Sequence, residues 1–119
     1  MRRGAAAYKG IDFTPPEAVA AAARRALEQR AKKPASQRGM TSIGIARARQ
    51  LANRQALSPE TVDRMVSFFA RHEVDKGGST WDDYGKGRQA WDGWGGDPGR
   101  SWAKGIAARM DAADRKRAN

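Results

Sequence analysis

The sequence predicts an all-α domain, a compact bundle of four to five helices behind a basic N-terminal arm. Three observations predict it. Apolar side chains recur with the helical period in several segments, cap residues and prolines stand where those segments begin, and no segment reads as a strand. A chain of 119 residues suggests one domain with a modest core. Hydrophobic residues make up 39%, but many are alanines that bury little area, so the four Trp, three Phe, two Tyr and four Met must supply much of the burial.

Residues 1–13, with Arg2, Arg3 and Lys9 among glycines and alanines, read as a flexible basic arm. The single helical domain then spans 14–117. Thr14, Pro15, Pro16 and Glu17 combine a cap, first-turn prolines and a glutamate in capping-box position, opening a helix over about 15–33. Val19, Ala23, Ala26, Leu27 and Ala31 form its thin apolar face, and Pro34 stops it. After a loop, Thr41 or Ser42 caps a helix over about 43–54, whose stripe is Ile45, Ala48, Leu51 and Ala52.

The strongest signal follows. Ser58 caps, Pro59 fits the first helical position, and Val62, Met65, Val66 and Phe69 fall at i, i+3, i+4 and i+7, with Phe68 widening the stripe. This helix, over about 59–74, is expected at the centre of the core. Residues 75–89 read as a Gly-rich charged loop, 90–94 as a helical turn ended by Gly95 and Gly96, and 98–115 as the last helix. The adjacent helices 43–54 and 59–74 have a helix-turn-helix layout. Glu60 and Asp63 would repel phosphates, so an ordinary αα-hairpin is favoured over a reader that places Glu60, Thr61 and Arg64 at base edges.

Charge is the clearest functional signal. Net charge is +10, and residues 1–57 hold 12 Lys/Arg against 3 Asp/Glu, while residues 58–119 hold 11 against 10. Such asymmetry points to a polyanionic partner, most often nucleic acid. Arg24, Arg25, Arg38, Arg47, Arg49 and Arg54 are the candidate phosphate contacts, with Arg47, Arg49 and Arg54 facing backbone if the two central helices touch DNA.

Catalytic chemistry has little to build on. One histidine and no cysteine remove the usual zinc sets, and Asp82–Asp83 diverge on any regular element. Calcium-loop spacing, a Walker lysine and a nucleophile elbow are all missing. The expectation is no enzyme, no metal, no cofactor and no small-molecule substrate. No apolar run suits a signal peptide or a membrane span. Trp81, Trp91, Trp94 and Trp102 lie within 22 residues. They would either stack on unpaired bases or fill the room left by alanine-rich helices. Core is the favoured reading for Trp91, Trp94 and Trp102, less so for Trp81.

The stretches IARARQLANRQALSPETVDRMVSFFARHEVDK from Ile45 and WGGDPGRSWA from Trp94, with TPPEAV before them, resemble a small basic helical module encoded by tailed bacteriophages and prophages, often near head or virion genes. The likeness covers most of residues 11–108. It implies a phage protein in the host cytoplasm or the virion, and it brings no catalytic residues or cofactor. RQAWDGWGG departs from the pattern, with Asp92 and Gly93 where apolar helix is expected, so a looser turn is anticipated there. The function expected is non-enzymatic binding of nucleic acid, DNA above all, through its phosphate backbone. The alternative is a virion or head-assembly component that binds another capsid or scaffold protein.

Overall fold

A computed structural model describes residues 8–118. Among them lie five α-helices and no strand: α1 (Glu17–Lys32), α2 (Ser42–Ala52), α3 (Pro59–His72), α4 (Lys86–Gly93) and α5 (Gly96–Ala118). Short 3₁₀ turns cover Ala35–Gln37 and Glu73–Gly77. The architecture is all-α. It measures 53 × 27 × 22 Å, long because α5, about 35 Å from its rise per residue, runs past the body. Its last buried side chain is Met110.

Two helix starts follow directly from local chemistry. Thr41 Oγ1 accepts from Gly44 N at 3.0 Å at the head of α2, and Ser58 Oγ accepts from Thr61 N at 3.1 Å at the head of α3. The third start differs from expectation. Thr14 and Pro15 each precede a proline, which disfavours helical backbone at both. The cap position therefore moves to Pro16, and α1 begins at Glu17 without a side-chain cap. Thr14 instead donates its N–H to Asp12 in a local turn.

The hub of the bundle is α1, which packs against α2, α4 and α5. Val19, Ala20, Ala22, Ala23 and Ala26 are all essentially unexposed. Small side chains let three backbones approach one helix, and that role cannot be read from its thin apolar stripe. The α3 helix, expected at the centre, packs mainly on α5 and supplies bulk instead: Val62, Met65, Phe68 and Phe69 are buried. Phe69 meets Trp91 edge-on at 4.8 Å between ring centroids, and Phe68 stacks on Trp94 at the same separation. Trp91 is core, and Trp81, Trp94 and Trp102 are partly buried against it.

The turn between α4 and α5 is fitted to α1. Gly95 has φ 113°, a backbone region that side chains rarely enter. A Cβ there would sit 2.9 Å from Val19 Cγ1 and 2.9 Å from Gly99 Cα.

Three further expectations are corrected. The arm does not extend to residue 13: Tyr8 is 3% exposed and donates to Asp114 at 2.7 Å, and Leu57 N–H bonds the Phe13 carbonyl at 3.0 Å. Tyr8, Ile11 and Phe13 join the core rim; residues 1–7 of the expected arm lie outside the described residues. The anticipated loose turn at 88–93 is helix, and α4 starts at Lys86. Fully buried Gln89 pins it, accepting from Gly39 N at 2.7 Å and donating to the carbonyls of Gln37 and Tyr84. Finally, α2 and α3 do not pair as an αα-hairpin. The first packs on α1 and α4, the second on α5, and the two make little direct contact.

Candidate nucleic-acid interface

The six candidate arginines do not form one surface. Arg24 donates to the Ala52 carbonyl at the end of α2 (2.9 Å) and pairs with Glu17. Arg25 reaches Asp92 at 3.5 Å. Arg38 closes the end of α1 by donating to the carbonyls of Lys33 (2.8 Å) and Ala31 (3.2 Å). Arg54, itself at φ 51°, donates to the Pro15 carbonyl at 2.8 Å. Arg49 alone is exposed with no bond to another described residue.

Arg47 is a correction. Its position on α2 suggested a surface contact with DNA backbone, yet it is only 9% exposed. Its guanidinium lies 5.4 Å from the centre of the Trp94 ring and donates to Gln50, while its Nε is buried without an acceptor. Burial first, then the nearby charge of Arg64, pulls this guanidinium below its ordinary value. The splaying of α2 from α3 leaves Trp94 between them, and the long Arg47 side chain covers the ring.

Hydrogen bonds to carbonyls hold an arginine in place without cancelling its charge. Arg38, Arg47 and Arg54 therefore still contribute to the field of the surface. Several acids are paired with cations. Glu73 receives Arg100 through two bonds of 3.0 Å, Asp97 receives Lys76 at 2.7 Å, and Asp75 meets His72 at 3.0 Å. Asp92 is the most enclosed. Tyr84 donates its hydroxyl to it, and Arg25 and Arg88 flank it. Burial, then the bond to Asp92, pushes the Tyr84 phenol up. Such pairing removes charge of both signs and leaves the net charge of +10 facing solvent.

Counting charge along the chain misses two contributors: Arg64, considered only for base readout, and Arg71. Both are exposed on α3, where they share a stripe with Glu60 and Ser67 at helical spacing. Neither bonds another described residue. The signal is present in the spacing, but the acids Glu60 and Asp63 nearby obscure it. These arginines line one wall of an open groove of about 420 Å³ between α2 and α3, with Asp63 and Ser67. Trp94 lines it too, and Ile43, 65% exposed, stands on the α2 side. A second cationic area is the projecting end of α5, where Arg115, Lys116 and Arg117 are all exposed.

The helix-turn-helix reading fails on the same geometry. Thr61 is buried, its hydroxyl 2.9 Å from that of Ser58, so it cannot reach a base edge. Two of the four tryptophans offer no platform for unpaired bases, because Trp91 is enclosed and Trp94 is covered by Phe68 and Arg47, while Trp81 and Trp102 are partly buried. Among the described residues no three His, Asp or Glu side chains converge as a metal set. No helix there is long and apolar enough to cross a membrane. Set against known proteins, the chain matches no family model, no curated protein and no solved structure.

Proposed function

We propose that this is a non-enzymatic phage protein, of the host cytoplasm or the virion, that binds nucleic acid, and DNA in particular, through the phosphate backbone. The observation that carries the reading is the basic surplus at the surface: net charge is +10, and exposed cations stand on α2, α3 and the end of α5. The contacts proposed are Arg49, Arg64 and Arg71 with Arg115, Lys116 and Arg117. Arg38 and Arg54 add to the field, and Arg24, Arg25 and Arg47 drop out as direct contacts.

Fluorescence anisotropy of labelled duplex DNA across salt concentrations tests this. Six neutralised phosphates predict a slope of log affinity against log salt of about −5, and a loss of roughly 10³-fold between 50 and 200 mM salt. Equal affinity for unrelated sequences is expected; no binding at low salt would end the reading. The competing reading is a head-assembly component docked on an acidic capsid or scaffold protein. Exposed Ile43 beside the arginines favours it, as an apolar anchor. Retention on purified particles after the DNA has been released would decide for it.

A further inference from the structure

The groove between α2 and α3 holds a concentration of charge that the fold itself does not use. Arg64 and Arg71 stand seven residues apart, two turns of α3, and so project along one side of that helix. Arg47 lies over the Trp94 ring with its Nε buried and unbonded, a donor that costs stability when left so. Arg47 and Arg64 are close enough to repel. Arg64 and Arg71 line the groove without a partner among the described residues, and an anion bound between them also relieves the repulsion with Arg47.

We infer that this groove is a phosphate-binding site, in which Arg64 and Arg71 contact the oxyanion directly and Arg47, over the Trp94 ring, adds a third positive charge to the local field. The proposal rests on the reading of the protein as a nucleic-acid binder and gives it a localised contact in place of a diffuse basic field. Guanidinium suits the role because its planar fork donates two parallel bonds to a phosphate. Trp94 and Ile43 then face the sugar side of the strand rather than a base, since Trp94 already carries Phe68 and Arg47. Asp63 is the opposing group, the carboxylate on the same wall.

The test compares duplex-DNA affinity and salt slope for the wild type, R64Q/R71Q, D63N and K116Q/R117Q. The groove and tail doubles remove the same nominal charge, and all four arginines and lysines are exposed, so folding is preserved. The groove double should lower the magnitude of the salt slope by about 2 and weaken binding roughly 50-fold at 0.1 M salt. The tail double should do less, and D63N should tighten binding roughly fivefold. Equal losses in the two doubles would overturn the site and leave backbone binding standing.

Inorganic pyrophosphate added to the ¹⁵N-labelled protein provides a readout without DNA. Shifts of the Trp94 indole and Arg64 and Arg71 Nε–H signals support the site, even if DNA fails to bind and the nucleic-acid reading falls. No shift with pyrophosphate overturns it. Shifts with polyglutamate but not pyrophosphate overturn it in favour of an acidic protein segment.

Discussion

Replacing Gly95 by alanine tests the packing of the whole bundle, because that turn is where α4, α5 and the α1 hub meet. At φ 113° an alanine enters a strained backbone region, a cost of about 1–3 kcal/mol. Its Cβ would also lie 2.9 Å from Val19 Cγ1 and from Gly99 Cα. Val19 is 1% exposed, so the valine has nowhere to move, and the Gly99 contact is backbone. Overpacking of this kind costs about 1–3 kcal/mol more. Alanine stiffens the unfolded chain, which returns about 0.4–1 kcal/mol. The net is a loss of about 3 kcal/mol, a large share of the 5–15 kcal/mol typical of a domain. At about 4 °C per kcal/mol for this chain length, Tm should fall about 12 °C.

Gly105 provides the matched control. It lies exposed on α5, and a Cβ added there would meet nothing within 4 Å, so Gly105→Ala should gain about 1 kcal/mol of helix propensity and raise Tm about 4 °C. Thermal melts followed by circular dichroism at 222 nm measure both. A Gly95→Ala protein as stable as the wild type would refute the account of α1 as the hub against which the turn is pressed.

Gln89→Leu should destabilise by about 3 kcal/mol, because it strands the buried Gly39 N–H and the Tyr84 carbonyl; urea unfolding is the measurement, and a loss under 1 kcal/mol would contradict the stitching role. Asp97 is held below its usual 3.8 chiefly by the hydrogen bond from Lys76, so it adds stability above that pH, lost as pH falls through the lowered value. The stability gap between wild type and Asp97→Asn should thus be present at pH 6 and shrink as pH falls below 3.8, and a gap that widens in acid would reverse the sign. The Tyr84 phenol sits above its ordinary 10.0, so it favours folding below that pH, and the contribution disappears as pH rises through the raised value. Absorbance at 295 nm should show Tyr84 ionising only as the protein unfolds in alkali, and a normal titration near pH 10 would place its ring in water.

What was legible in the sequence was the local chemistry. The caps at Thr41 and Ser58, Pro59 in the first turn, the stripe from Val62 to Phe69 and the all-α class each depend on residues a few positions apart, and each stands in the structure. What only the tertiary structure decided depends on partners far along the chain. An alanine stripe carries little hydrophobic signal, yet closeness of approach makes α1 the hub. Helix α4 begins four residues before its apolar pattern does because Gln89 bonds a loop fifty residues upstream. Tyr8 is fastened by Asp114, 106 positions away. The candidate site changed for the same reason. Charge counting finds arginines but not their acceptors, so it included Arg24 and Arg25, which meet acids, and Arg47, which is buried over Trp94. It passed over Arg71 because the net charge of a segment does not say which side chains face solvent together. Composition determined that this protein is basic and helical; the divergence of α2 from α3, set by which helix each one packs against, determined where that charge is gathered.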